Sequence, residues 1–358
     1  MKREILIVAI MLALGAGPAG ATSFILSPDA PTDDPAGSTA VFRPWDIVRN
    51  DSGTYTTMLI LPAGTAVDAV YRLSSGDWLF SVEAAADLGS AVFDPRDLIL
   101  FDGVDYSLFL DGAAAGIPPE ANIDALFLDG GDSGDPVVSL DIPALVGGSS
   151  YGPGDLLKWD GAAFALYFDA ASAGLPIQAN VTGADKRAGL LILTLDTPVT
   201  LGTGLLLPGQ LLSWDGASLN LYYEDPAWPV SSRLDGVAFL PPPGVVPHLS
   251  LEKSVAVEGD LTISWSAACS AGAADYAVYE GSLGNWYDHV PVTCTDTGAD
   301  LEETFTPGDS NRYYLLTSHN ANDEGSYGIS HTNPNEAGAE RPPSTAACVV
   351  SQELDPCP

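Results

Sequence analysis

Pro95-Arg96-Asp97-Leu98-Ile99-Leu100-Phe101-Asp102-Gly103 returns as Pro153-Gly154-Asp155-Leu156-Leu157-Lys158-Trp159-Asp160-Gly161 and again as Pro208-Gly209-Gln210-Leu211-Leu212-Ser213-Trp214-Asp215-Gly216, with starts 58 and 55 residues apart. A fainter copy opens with Pro44-Trp45-Asp46-Ile47-Val48 and has Asn50-Asp51-Ser52-Gly53 where the others have an aromatic residue and Asp-Gly. A fixed period of this length marks a repeat architecture. Each opening is followed by a second apolar run: Tyr55 to Leu61, Tyr106 to Leu110, Phe164 to Phe168 and Leu219 to Tyr223. Asp-Gly between two short β-rich runs is a strong hairpin signal, because glycine takes the positive φ of a tight primed turn. An acid closes the second run in the three clear copies, at Asp111, Asp169 and Glu224.

A third strand follows at Asp68 to Tyr71, Asp124 to Phe127, Leu190 to Leu195 and Leu234 to Phe239, and a fourth at Trp78 to Val82 and Val137 to Leu140. Helical periodicity is nearly absent, and 37 Gly and 28 Pro break up long helices. The expectation is an all-β chain with a four-unit repeat domain over residues 41–240, each unit four strands and about 55 residues long. A β-propeller fits this best; a barrel or sandwich of the same hairpins is the alternative. The last unit stops after its third strand, so the ring would close with a strand from the N-terminal segment, for instance around Thr39 to Phe42.

Residues 1–21 have the three-part layout of a secretory signal peptide: Lys2 and Arg3, an apolar run from Ile5 to Leu14, and small residues ending at Ala21. No run reaches the roughly 18 to 20 apolar residues that a membrane-spanning helix requires. The expected location is extracellular or periplasmic, with no membrane insertion. Residues 22–40 read as a flexible N-terminal segment, and 241–248 as a Pro-rich linker, an extended composition that cannot join a sheet interior.

From 249 to 358 the pattern changes. Leu261 to Ser266 alternates around Trp265, Tyr276 to Tyr279 alternates again, and Arg312 to Thr317 forms a Tyr-Tyr-Leu strand leading to Asn320 to Gly328. This arrangement resembles a fibronectin type III module, and implies a β-sandwich that serves as spacer or contact surface. The repeats, with their Asp-aliphatic-aromatic opening and Asp-Ala-Leu strand, are similar to those of uncharacterised secreted bacterial proteins; no activity follows from that resemblance. The module departs from the fibronectin family in its cysteines. All four lie here, Cys269, Cys294, Cys348 and Cys357, and an even number in an oxidising compartment reads as two disulfides. Three pairings are open, with Cys269–Cys294 and Cys348–Cys357 preferred.

The 13 basic residues face 47 acidic ones, a field that repels phosphate backbones and excludes nucleic acid as a partner. Of the acids 34 are Asp, and the densest loop, Asp129-Gly130-Gly131-Asp132-Ser133-Gly134-Asp135, places Asp129, Asp132 and Asp135 as candidate calcium ligands, though without EF-hand spacing. The repeat domain contains no histidine, so it cannot host a Ser-His-Asp site of its own. His289, next to Asp288, reads as a surface or turn residue. Asp111, Asp169 and Glu224 recur at equivalent places, whereas a catalytic carboxylate pair needs two different environments, so turn capping is their expected role. Trp159 and Trp214 are ligand-contact candidates if they lie on the surface, where a glycan would stack on them, and core residues if they do not. The leading reading is a secreted, non-enzymatic recognition, adhesion or structural protein with an extracellular glycan or protein partner. The alternative is a carboxylate-dependent hydrolase acting on polysaccharide.

Overall fold

The computed structural model describes residues 23–352 except 52, 74, 90, 188, 202–203, 241–243, 245, 247–248, 269, 271, 286, 309–310, 321–322, 331–338 and 350. The segment expected to be a signal peptide, most of the linker, Cys269 and Cys357 therefore lie outside the described residues. All regular structure within them is β-strand and 3–10-free turn, with no helix.

Four four-stranded antiparallel sheets form the repeat domain. Their innermost strands are Leu234–Ala238, Val67–Arg72, Ile123–Asp129 and Val181–Arg187. Each packs against the next, and the last returns to the first, which closes a four-bladed propeller. The third residues of these strands are Ala69, Ala125, Gly183 and Gly236. Small side chains are required there, because four backbones crowd the axis: a Cβ on Gly183 would stand 2.8 Å from Val237 N, and one on Gly236 2.9 Å from Val70 N.

The sequence period and the blade are out of phase. The hairpin of Leu98–Phe101 and Tyr106–Leu110 is the outer half of the blade begun by Val67–Arg72 and Trp78–Val82, not the start of the next one. The third blade runs Ile123–Asp129, Asp135–Leu140, Leu156–Trp159, Phe164–Phe168, and the fourth Val181–Arg187, Leu190–Leu195, Leu211–Trp214, Leu219–Tyr223. The turns explain the recurring Asp-Gly. Asp102, Asp160 and Asp215 accept two backbone N–H bonds each, and Gly103, Gly161 and Gly216 have φ near +90°.

Closure differs from expectation. The strand that pairs with Leu234–Ala238 is Ser23–Pro28, buried along its whole length, with Ile25 opposite Ala238. The segment 22–40 is thus not a flexible tether: its first part is the second strand of the closing blade, followed by Asp46–Asp51 and Thr54–Ile60. Val41–Phe42 instead pairs with Thr32–Asp33 in a small hairpin that crosses between the second and third strands, a device each blade repeats. Buried hydroxyls join neighbouring blades: Ser81 Oγ donates to Ile123 O at 2.6 Å, Ser139 Oγ to Val181 O at 2.7 Å and Thr194 Oγ1 to Leu234 O at 3.3 Å.

The C-terminal region is a two-sheet sandwich. Leu249–Lys253, Leu261–Trp265 and Glu302–Phe305 form one sheet; Val290–Thr293, Asp275–Ser282, Arg312–His319, Asp323–Glu324 and Ser351–Gln352 form the other. Ile263, Trp265, Val278 and Phe305 fill the space between them. Cys294 pairs with Cys348, with Cα atoms 5.5 Å apart, which replaces the preferred Cys269–Cys294 and Cys348–Cys357 pairing. Nearest-in-sequence pairing fails because the segment carrying Cys348 folds back beside Tyr279, whose hydroxyl accepts the Cys348 N–H at 2.8 Å. The sandwich docks on the propeller through Arg49 Nη2 and Asp323 Oδ1, 2.9 Å apart, and its Ser318 Oγ donates to the linker carbonyl of Gly244 at 2.9 Å. Among the described residues no helix is long and apolar enough to cross a membrane.

Candidate functional site

Strands at the centre of a propeller are covered on both sides, so their sequences should be apolar. Here the second residue of three of them is an aspartate: Asp68, Asp124 and Asp235, each under a tenth exposed, with Thr182 at the fourth place. All begin their strands at the same end of the axis. A second set of acids, Asp29, Glu83, Asp141 and Asp196, stands at or just beyond the far ends of the adjacent antiparallel strands, and therefore at the same mouth. Their backbone N–H groups bond the carbonyls of Arg233, Ala66, Asn122 and Asn180 in turn, one equivalent contact per blade.

The residue before each innermost strand completes the pattern. Asn122 Nδ2 donates to Asp68 Oδ2, and Asn180 Nδ2 donates to Asp124 Oδ2 at 2.5 Å. The third and fourth blades thus each hand an amide to the carboxylate of the blade before it. The second blade has Ala66 at this place, whose methyl cannot donate, so Asp235 receives no such amide. Arg233 serves it instead, with Nε 3.2 Å from Asp235 Oδ1 and 3.6 Å from Asp29 Oδ2. Thr182 bonds Thr194 Oγ1 at 3.1 Å and the Leu234 carbonyl at 2.8 Å, and adds no charge.

These side chains enclose a pocket of about 380 Å³, walled by Asp68, Glu83, Glu120, Asp124, Asp141 and Asp235, with Asn122, Asn180 and, as the one cation among the described residues, Arg233. Burial dominates the electrostatics. It pushes the Asp68 carboxyl up to about 9, helped by the neighbouring charges of Asp124 and Asp235. Asp124 and Asp235 are pushed up to about 7, also by burial first, against the opposing effects of Asn180 and Arg233. At neutral pH the inner ring therefore holds protons that a nearby positive charge would displace. Asn122 and Asn180 have side-chain carbonyl oxygens with no hydrogen-bond partner, although each residue is only 9% exposed.

The loop from Asp129 to Asp135 lies at the other end of the axis, five residues along the innermost strand from Asp124, or about 17 Å at the rise of a strand. Its Asp129 and Asp135 carboxylates are turned to protein cations. Asp129 meets Lys186 at 2.7 Å and Lys158 at 2.9 Å, and Asp135 meets Lys158 at 3.2 Å. Asp129 titrates at about 2, drawn below the usual carboxylate range by both lysines although burial opposes them. Among the described residues no three His, Cys, Asp or Glu side chains converge as a metal site, so Asp129, Asp132 and Asp135 are not brought together as calcium ligands.

Trp159 and Trp214 are half-buried and pack against the core. Trp159 lies 5.0 Å from Phe164, and Trp214 meets Phe168 of the preceding blade edge-on at 6.0 Å. Neither reaches the pocket. Asp111 and Asp169 accept backbone N–H bonds from Ala114 and Ser172, both at 2.9 Å, and so cap the turns that follow them. His289 is not a surface residue: it is 2% exposed in the sandwich, between the rings of Tyr279 and Tyr327. Burial lowers its pKa. Beside it, Glu324 is fully buried and accepts hydrogen bonds from both tyrosine hydroxyls.

The pocket has a signal in the sequence. Asp-Ala-Val, Asp-Ala-Leu and Asp-Gly-Val recur at Asp68, Asp124 and Asp235, and Asn precedes two of the four innermost strands by one residue. A charged residue repeated inside a doubly covered strand needs a reason, and the axial mouth supplies it.

No family model and no curated protein matches the sequence. Solved structures with a similar course of chain include YCF48 bound to a D1 peptide, 10% identical over 51% of this chain, with a TM-score of 0.26. YCF48 from Cyanidioschyzon merolae, 9% identical over 64%, also scores 0.26. A streptogramin B lyase is 11% identical over 81% of this chain and 89% of its own, with a TM-score of 0.27. The chain spans 48% and 61% of the two YCF48 chains it matches. At such scores the four-bladed ring rests on its own strand pairing.

Proposed function

We propose that the protein is a secreted, non-enzymatic recognition protein whose binding site is the axial pocket and whose ligand is positively charged. One observation carries the reading: six carboxylates and one guanidinium wall a single cavity at the point where four blades meet. Clustered carboxylates focus a negative potential in a low-dielectric cleft and raise the local concentration of cations. Export is supported by the signal-peptide layout of residues 1–21 and by the Cys294–Cys348 disulfide, which persists in an oxidising compartment. The C-terminal sandwich, similar in its strand pattern to a fibronectin type III module, serves as a spacer or second contact and is held against the ring by Arg49 and Asp323.

The hydrolase reading draws on the same pocket, because Asp68 and Asp124 keep protons that a general acid would use. Against it, no aromatic ring among the described residues lines the wall to stack a sugar, and the acids occur as repeat-equivalent residues. Thermal unfolding of the mature chain with and without added cations tests the recognition reading, since a ligand that binds only the folded state raises its midpoint. A midpoint indifferent to every cation, together with release of reducing sugar from a polysaccharide panel, would reverse the order of the two.

A further inference from the structure

We infer that the axial pocket takes an organic cation bearing several N–H donors, an ammonium or guanidinium group, rather than a bare metal ion or a quaternary ammonium. The inference rests on the reading of the pocket as a cation site and names the ligand class.

The wall is built almost wholly of carboxyl groups and amide carbonyls. Asp68, Glu83, Glu120, Asp124, Asp141 and Asp235 present carboxylates, and Asn122 and Asn180 add two buried carbonyl oxygens without partners. A buried acceptor left unmatched is costly, and a cation with N–H groups brings both the donors and the positive charge that this lining favours. Arg233, the one donor-bearing cation on the wall, is itself turned to Asp235 and Asp29 and shows how this lining meets a guanidinium.

The competing cations fit worse. A metal ion needs ligands that converge, and among the described residues no three do. Quaternary ammonium groups have no N–H and are bound by aromatic cages, whereas none of the lining residues is aromatic. The volume, about 380 Å³, is at the lower end of the range for small-molecule sites and accepts a Lys or Arg side chain or a short polyamine. A sugar would lack both stacking surface and charge.

The test is thermal unfolding and calorimetric titration of the mature chain at matched ionic strength with agmatine, spermidine, tetramethylammonium chloride and CaCl2, and with short peptides containing Arg or Lys. Agmatine and spermidine are expected to raise the midpoint by several degrees and the other two salts to leave it unchanged. Binding of the free amines assigns a small-molecule ligand; binding of the peptides alone assigns a basic side chain of a partner protein, and either supports the inference. Asp124→Asn should weaken agmatine roughly tenfold, the scale of a lost charge-assisted hydrogen bond. Glu120→Gln, at the exposed rim, should weaken it in a protein whose fold is unaffected, and Asp129→Asn at the far end should not. Equal stabilisation by all four cations, or stabilisation by CaCl2 alone reversed by EDTA, overturns the donor assignment and leaves the cation reading standing. No response to any cation overturns both.

Discussion

Asn180 donates from Nδ2 to Asp124 Oδ2 at 2.5 Å, so the amide that opens one blade is held by the carboxylate at the heart of the blade before it. Asn122 and Asp68 repeat the relation one blade earlier. The axial acids are therefore part of the mortar between blades as well as the wall of the pocket, and their ionisation bears on stability.

Stability should fall as pH rises. Asp68, Asp124, Asp235 and Asp185 all have carboxyl pKa values raised by burial, the first to about 9 and the others to about 7. A raised carboxyl favours the folded state when protonated, so its contribution is complete below about 4, the unfolded value, and is lost as pH climbs through the folded one. The midpoint of thermal unfolding should be higher at pH 5.5 than at pH 9. Asp68→Asn keeps an acceptor for Asn122 without the charge; it should flatten the profile and raise the pH 9 midpoint, by about 2 to 4 °C for each kcal/mol recovered. Parallel profiles for the parent and this variant would show that the axial acids do not govern the slope.

The closing strand should be indispensable. Ile25 is fully buried in the core shared by the blades, and Ile25→Ala should cost about 2 to 5 kcal/mol. Ile60, 65% exposed on the outermost strand of the same blade, serves as control, and Ile60→Ala should shift stability by no more than about 0.5 kcal/mol. Denaturant unfolding compares the two, and similar midpoints would contradict the closure described.

Loss of the Cys294–Cys348 link should weaken the sandwich and spare the ring. It closes a long loop, with a sequence separation of 54, and its removal as the double Ser variant should cost about 2 to 5 kcal/mol. Calorimetry should show the sandwich transition moving down while the propeller transition stays. Movement of both by the same amount would mean that the two regions unfold as one.

Arg49 and Asp323 tie the two regions, with side chains 11% and 4% exposed. Removal of Arg49 leaves the Asp323 carboxylate buried without its guanidinium, at a cost of about 3 to 5 kcal/mol. Arg49→Ala should also separate the two calorimetric transitions, and a double-mutant cycle with Asp323→Ala should give a coupling well above the measurement error. Additive effects would place the domain contact elsewhere.

The repeat and its hairpins were legible because Asp-Gly turns and alternating aliphatic and aromatic strands are local signals, set within fifteen residues of one another. The phase of the blades was not, since a hairpin shows which strands are consecutive but not which neighbour they join. Ser23–Pro28 was hidden for a related reason: it lies outside the repeat and carries none of its turn residues. The disulfide was misassigned because pairing follows the return path of the chain around Tyr279, which spacing does not encode. Asp68, Asp124 and Asp235 were visible as a recurring residue, yet their convergence depends on ring closure, a property of the whole domain. The calcium expectation at Asp129 failed on Lys158 and Lys186, remote in sequence from the loop they neutralise.

Ile25 and Ala238 face each other across the closing sheet although 213 positions separate them (238 − 25 = 213). During synthesis the strand that contains Ile25 emerges first and waits, apolar and unpaired, until the last innermost strand follows it. Contacts of such high order slow folding. Throughout that interval both Ser23–Pro28 and the edge of Asp46–Asp51 that it will cover are open to the wrong partner. The latch that makes the finished ring a single cooperative unit thus gives the nascent chain a prolonged period of vulnerability to aggregation, set by the time needed to complete it.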